Sequence, residues 1–152
     1  MKKSKSWIAL FVLSLTLVAV IAGCGTTAGA DDIGKTRTAN DLEMTVTHVE
    51  TLNSKNDKMQ LAKIDFEITN VGSDEAGVGA GDFVVETKDG KKREVDGMHA
   101  NNFGDAIAAG KMLRGSGYYE VPAGEQDVTV IYKPVNGKAD QKATWTITLP
   151  EK

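Results

Sequence analysis

The sequence predicts an all-β fold, because stretches of alternating apolar and polar residues recur along most of the chain and turn-forming residues separate them. About seven such stretches lie between residues 41 and 149, which is typical of an immunoglobulin-like β-sandwich. Glycine or proline marks several of the breaks, as at Val71-Gly72, Val121-Pro122 and Lys133-Pro134. A small closed β-barrel is the alternative architecture. The predicted strands cover 42–47, 62–69, 83–88, 93–96, 112–121, 128–132 and 143–149.

The first two predicted strands show the clearest alternation. Leu42, Met44 and Val46 alternate with polar residues in the first strand, and apolar residues occupy every second position from Ala62 to Ile68 in the second. Because successive side chains of a strand point to opposite faces, each strand presents one apolar face to a core and one polar face to solvent. The last two strands follow the same rule.

A hairpin is predicted after the third strand, where the sequence is Lys88-Asp89-Gly90-Lys91. Asp-Gly between two strands is typical of a two-residue type I′ turn, in which both central residues have a positive φ. The returning strand is then Arg93 to Asp96. Residues 97–108 form the longest part of the domain without a strand pattern, and we expect a short helix or a functional loop there.

The N-terminus has a basic segment followed by an uncharged apolar segment, as in exported proteins. The uncharged run from Trp7 to Ile21 is 15 residues long, which is shorter than the roughly 20 that span a membrane. It ends in Ile21-Ala22-Gly23-Cys24, which resembles the lipobox of bacterial lipoproteins. The aliphatic and small residues suit recognition by a signal peptidase, and the resemblance implies cleavage before Cys24 and a diacylglyceryl group on its thiol. An uncleaved membrane anchor with an incidental cysteine is the alternative.

Cys24 is the only cysteine, so the mature protein has no internal disulfide. Residues 25–40 are rich in glycine, threonine, alanine and aspartate, with Ile33 as their single aliphatic residue. This composition indicates a flexible linker. The sequence therefore predicts three parts, which are a signal peptide (1–23), a lipidated cysteine with a linker (24–40) and one domain (41–152).

The net charge of the chain limits which molecules can be the main binding partner of the protein. The chain has 18 basic and 21 acidic residues, and removal of the three lysines of the signal peptide leaves a net charge of −6. A mildly acidic surface argues against nucleic acid or anionic lipid as the main partner.

Several motifs in the predicted domain together resemble a known family. They are, in chain order, Thr69-Asn70-Val71-Gly72 at the end of the run from Met59, Asp82-Phe83, Asp89-Gly90-Lys91, Ala109-Gly110-Lys111, Gly115 and Tyr119-Glu120-Val121-Pro122. Their order and spacing over residues 41–132 are similar to the DUF4352 family, although Ala109 replaces the usual proline and Tyr119 the usual phenylalanine. The resemblance implies an immunoglobulin-like sandwich found mostly on lipoproteins and secreted proteins of Gram-positive bacteria. It implies no reaction and no catalytic residues.

The sequence offers little catalytic or cofactor-binding chemistry. No Gly-x-Ser-x-Gly motif surrounds a serine, and no phosphate-binding loop or zinc-ligand spacing occurs, so we expect no enzymatic activity and no cofactor. The pair Met98-His99 indicates an alternative function, which is copper binding in the cell envelope, because a thioether and an imidazole suit Cu(I). The basic run Lys91-Lys92-Arg93 fits either an edge strand kept soluble by charge or a contact with an anionic wall polymer.

The predicted function is display of a non-enzymatic binding domain on the extracytoplasmic face of a Gram-positive cell membrane. The lipid on Cys24 would hold the protein at the membrane, and the ligand would be a protein or a cell-envelope component. The expected contact surface is the loop within 97–108, with Phe103 as an exposed apolar anchor. His99, Asn101 and Asn102 are the expected polar contacts.

Overall fold

The computed structural model describes residues 31–135, 137 and 141–152, so the predicted signal peptide and Cys24 lie outside the described residues. Nearly all regular structure within these ranges is strand, and the predicted β-sandwich is confirmed. A single 3₁₀ turn occupies Ala80–Asp82. The strands are β1 (Thr36–Ala39), β2 (Leu42–Asn53), β3 (Met59–Asn70), β4 (Ala76–Gly79), β5 (Phe83–Thr87), β6 (Lys92–Arg93), β7 (Gly104–Ile107), β8 (Met112–Pro122), β9 (Asp127–Tyr132) and β10 (Ala143–Thr148).

Two four-stranded antiparallel sheets form the layers of the sandwich. The first sheet has the strand order β1-β2-β3-β8 and the second has the order β10-β9-β5-β6, while β4 and β7 form a separate pair. The apolar faces of the two larger sheets meet in one core that includes the fully buried Trp145 and Tyr119. Phe66 of the first sheet and Phe83 of the second have ring centroids 4.3 Å apart. Burial raises the pKa of Tyr119, whose protonated hydroxyl donates to the carbonyl oxygen of Ala80 (2.9 Å).

The alternation in the sequence explains which face of each strand is buried. In β10 every second residue is buried, and the intervening threonines are exposed. β2 departs from strict alternation because its pairing with β3 shifts between Val46 and His48. This β-bulge adds one residue to β2, so that Val46 and Val49 are both buried although they are three positions apart.

β1 lies inside the predicted linker, so the prediction of a linker up to residue 40 is wrong for this segment. Asn40 and Asp41 join β1 to β2 and have φ values of 52° and 58°. Ala39 pairs with Leu42 across them, which makes this connection the two-residue hairpin turn with two positive φ angles. The asparagine and aspartate tolerate this conformation because their short polar side chains stabilise it locally.

The residues before β1 are also part of the fold. Ile33 packs against the core, and the main-chain N–H of Asp32 donates to the oxygen of Thr146 (2.8 Å). The Asp32 carboxylate accepts hydrogen bonds from the ammonium of Lys35 (2.6 Å) and from the main-chain N–H of Thr146 (3.0 Å). These hydrogen bonds lower the pKa of Asp32. Polar contacts along an edge strand leave no apolar pattern, which explains why the sequence indicated a linker.

The hairpin after β5 differs from the predicted turn. Only Gly90 has a positive φ (76°), and the loop contains three residues, Lys88 to Gly90. The N–H of Gly90 donates to the oxygen of Thr87 (2.8 Å), and the N–H of Thr87 donates to the oxygen of Lys91 (2.9 Å). These bonds are those of a three-residue loop with a bulge at glycine, so the prediction of a type I′ turn here is wrong. The Asp89 carboxylate favours this loop by accepting the hydroxyl of Thr87 (2.6 Å).

The chain crosses from the second sheet to the first directly after this hairpin. The predicted strand from Arg93 to Asp96 is correct only in part, since β6 ends at Arg93 and Val95 forms a bridge with Tyr119 of β8. The crossing closes the sandwich along one side.

In the described part of the chain, no helix is long and apolar enough to span a membrane.

Candidate ligand-contact site

The loop from Val95 to Phe103, called the 95–103 loop below, lies along the edge of β8. The N–H of Asp96 donates to the oxygen of Tyr118 (2.7 Å), and the N–H of Phe103 donates to the oxygen of Ser116 (3.0 Å). β8 therefore has a neighbour on both sides, which protects an edge that would otherwise be free to pair with another chain. The prediction that residues 97–108 form a loop or a short helix is wrong for the second part of this segment, because residues Gly104–Ile107 form β7 and pair with β4.

Phe103 fastens the 95–103 loop to the core. Its side chain is half-buried, and its ring centroid lies 5.6 Å from that of Phe66 and 6.2 Å from that of Phe83. A Cβ atom on Gly115 would lie 2.3 Å from the Cβ of Phe103, so the missing side chain of Gly115 creates the space that Phe103 fills. The prediction that Phe103 is exposed is therefore wrong, while its contact with a ligand stays a prediction.

Asn102 closes the base of the same loop. Its Nδ2 donates to the main-chain oxygen of Asp96 (2.6 Å), and its Oδ1 accepts the main-chain N–H of Tyr118 (3.0 Å). These two bonds give Asn102 a structural role in the loop. Asn101 is exposed, and its main-chain N–H donates to Nδ1 of His99 (3.4 Å).

His99 and Met98 lie side by side in the loop, with His99 partly exposed and Met98 almost fully exposed. The imidazole of His99 stacks on the ring of Tyr118 with centroids 3.5 Å apart and planes 14° apart. Met98 is 93% exposed, the largest exposure among the large hydrophobic residues described. The stack fixes the position of the imidazole, while the adjacent thioether extends into solvent.

A surface cleft of about 480 Å³ separates this loop from the turn between β2 and β3. Its walls are formed by Asn53, Ser54, Lys55, Leu61, Asp96, Met98, His99 and Glu120. The hydroxyl of Ser54 donates to Oε1 of Glu120 (2.5 Å), which joins the turn between β2 and β3 to β8. We call this the ligand-contact cleft. Its volume lies within the range of small-molecule sites, and it combines apolar, cationic and anionic groups.

The outer face of the first sheet carries a second polar cluster that is close to the stack. Lys63 contacts Glu50 (3.3 Å) and Asp65 (4.0 Å), and the hydroxyl of Ser116 donates to Asp65 (2.6 Å). The Asp65 charge and the Glu50 hydrogen bond raise the pKa of Lys63. Lys63 is thus favoured as a cation beside two carboxylates, and it helps to fix Asp65, which accepts the hydroxyl of Ser116.

The Met98-His99 pair supplies two donors that suit Cu(I). Within the residues that the structure describes, no group of three or more His, Cys, Asp or Glu side chains is arranged to hold a metal ion. Two residues of the cleft region were not predicted from the sequence, namely Tyr118 as the partner of His99 and Glu120 as a wall of the cleft. Alternation in β8 would have placed both on the outer face, opposite the buried Tyr119.

The described residues thus define a small β-sandwich domain with a polar cleft beside one sheet edge. The chain belongs to the family described as "Domain of unknown function (DUF4352)", whose model matches residues 32–142. The predicted family is confirmed. The match begins nine residues before the predicted start of the domain at 41, in agreement with the ordered segment before β1.

Solved structures of several bacterial proteins share this fold. The protein is similar to ycdA of Bacillus subtilis, described as a candidate lipoprotein, with 21% identity and a TM-score of 0.62 over 74% of this chain and 38% of that one. It is also similar to yjhA of Bacillus subtilis (18%, TM-score 0.54, 78% of this chain and 98% of that one). A β-sandwich protein of Clostridium difficile has 12% identity and a TM-score of 0.51, covering 76% and 91%. No functionally curated protein matches this sequence.

Proposed function

We propose that this protein is a lipid-anchored component of the cell envelope whose sandwich domain binds a ligand outside the membrane of a Gram-positive bacterium. The observation that carries the proposal is the motif Ile21-Ala22-Gly23-Cys24, which ends an uncharged run and contains the only cysteine. The family domain begins at residue 32, shortly after this motif. Two acyl chains on one cysteine give stable membrane anchoring, whereas a single chain gives marginal binding.

The proposed role is binding without catalysis. The ligand-contact cleft has a fixed stack of His99 on Tyr118 beside the exposed Met98. Methionine adapts its shape to a partner, while a stacked ring offers a rigid surface, so the two together suit a protein or another envelope component. Lys63 adds a cation beside the stack, since it pairs with Tyr118 across the first sheet and contacts Glu50 and Asp65 on its outer face.

The location of the domain can be tested with protease added to intact protoplasts. We expect the added protease to degrade the domain while a cytoplasmic control protein survives, because the whole described fold would lie outside the membrane. Protection of the domain until the membrane is permeabilised would contradict the proposal.

The binding role can be tested with a photo-crosslinking amino acid in place of Met98 in the full-length protein on living cells. We expect a discrete adduct from this position, because Met98 is the most exposed apolar side chain beside the cleft. The matched control is the same amino acid at Thr148, which is exposed on β10 of the other sheet. If positions 98 and 148 give the same adducts, or position 98 gives none, the ligand-contact cleft is not the binding surface.

A further inference from the structure

The side chain of Arg93 has a buried hydrogen-bond donor without an acceptor in the described part of the chain. Its Nε atom is buried and has no hydrogen-bond partner among the described residues. Arg93 lies in β6 opposite Val85, at the edge of the second sheet, and is half-buried. An unpartnered buried donor destabilises a folded protein, and such groups commonly have a water, an ion or a ligand as their partner. The guanidinium is therefore open to an acceptor from outside the described residues.

Arg93 lines a cleft of about 520 Å³ together with Lys92 and Lys133, and we call it the arginine cleft. In the part of the chain that the structure describes, Arg93 and Lys133 have no ion pair. The ammonium of Lys92 lies 3.8 Å from the carboxylate of Glu86, and exposed pairs of this kind contribute little. Three cations thus line one cleft of a protein whose net charge after export would be −6.

We propose that the arginine cleft binds a phosphodiester group of an anionic envelope polymer. The planar guanidinium of Arg93 can bind two phosphate oxygens at once. The two non-bridging oxygens of a phosphodiester have lone pairs that point in several directions around the tetrahedral phosphorus, so the same oxygens can also accept from an ammonium outside the guanidinium plane, such as that of Lys133, which follows β9. The lone pairs of a carboxylate lie in its own plane, which a bidentate guanidinium already shares, so a phosphodiester uses the three cations better. The choice of an envelope polymer depends on the proposed display outside the membrane.

The overall charge favours a thin polymer over the flat surface of a bilayer. A bilayer of anionic lipids would face a wide area of an acidic protein, and like charges at that surface repel. A single polymer chain that enters the arginine cleft approaches the cations of its wall without covering the acidic remainder.

Two carboxylates in the arginine cleft should limit its affinity for an anion. Glu120 accepts the hydroxyl of Ser54 (2.5 Å), while Glu94 is exposed. Removal of the Glu94 charge should therefore strengthen binding. The Glu94 variant is also a control for misfolding. A variant that binds the anion more tightly must be folded, so its effect would show that the charges of the cleft determine the affinity.

The test is calorimetry of the full-length protein in an uncharged detergent, with synthetic poly(glycerol phosphate) as the probe. We expect Arg93→Gln to weaken binding about tenfold, as suits the loss of a bidentate charge-assisted contact, and Lys133→Gln to weaken it about threefold. Glu94→Gln should strengthen it about threefold, and salt should weaken it throughout. Lys91→Gln is the matched control, because Lys91 pairs with Asp89 (3.4 Å) and lies outside the cleft.

Three results would overturn the proposal. The first is equal affinity of wild type, Lys133→Gln and Lys91→Gln for the polymer, which decides the matter even if Arg93→Gln fails to fold. The second is equally tight binding of polyglutamate, which would show general attraction between charges. The third is tighter binding to phosphatidylglycerol vesicles that the polymer does not displace, which would assign the cleft to the bilayer. Because the probe is added to purified protein, these results are independent of where the cell places the domain.

Discussion

Replacement of Asn70 by alanine is expected to lower the free energy of unfolding by about 3 kcal/mol, since each unsatisfied buried polar group costs about 1–3 kcal/mol. Asn70 is only 1% exposed at the end of β3. Its Nδ2 donates to the main-chain oxygens of Asp74 (2.7 Å) and Ile107 (2.8 Å), and its Oδ1 accepts the N–H of Gly72 (2.9 Å). One side chain thus joins β3, the following turn and the end of β7.

Urea unfolding of residues 31–152, followed by tryptophan fluorescence, measures this loss. Asn70→Asp should destabilise the domain as well, because it replaces two donors by an oxygen that faces two carbonyl oxygens. Asn101→Ala is the matched control, since Asn101 is exposed in the 95–103 loop, and its effect should stay within about 0.5 kcal/mol. A loss below about 1 kcal/mol for Asn70→Ala would contradict this account of Asn70.

Gly115→Ala is expected to lower the free energy of unfolding by about 2–3 kcal/mol, as overpacked core positions do. The added methyl group would lie 2.3 Å from Cβ and 2.7 Å from Cγ of Phe103, so Phe103 must leave its site. The 95–103 loop would then lose its apolar attachment to the core. In hydrogen exchange, the main-chain amides of Asp96 and Phe103, which bond to β8, should exchange faster than in the wild type.

A double-mutant cycle identifies the cause of this loss. Phe103→Gly removes the clashing Cβ, so Gly115→Ala in that background should cost at least about 1 kcal/mol less than it does alone. Gly77→Ala is the control, because a Cβ on Gly77 meets no atom within 4 Å and its φ is not in the left-handed region. Additive effects of Gly115→Ala and Phe103→Gly would show that the two residues do not share this space.

The strands that the sequence predicted are those with many alternating residues. Six of these strands lie across the core, so their period of two is visible in the sequence, and they are β2, β3, β5, β8, β9 and β10. β1, β4 and β7 were missed because each has four residues. β4 and β7 contain glycines, and β1 is held at an edge by hydrogen bonds, so none has an apolar face long enough to produce a pattern.

The functional residues were harder to predict than the strands. Phe103 has polar neighbours and a glycine in sequence, which suggested an exposed loop tip, whereas its environment is set by Gly115, twelve residues away. The run Lys91-Lys92-Arg93 gave no sign that its members differ. The register of β6 places Arg93 opposite Val85 and leaves it half-buried, while Lys91 and Lys92 are exposed. These differences arise from tertiary contacts, and no local pattern contains them.

The most direct test of lipid anchoring is mass spectrometry of the N-terminal peptide of the protein purified from membranes. We expect a peptide that begins at Cys24 and carries a diacylglyceryl group on its sulfur, and we expect this added mass to be absent from a Cys24→Ala variant. A peptide that still contains residues 1–23, or one with an unmodified Cys24, would contradict lipid anchoring.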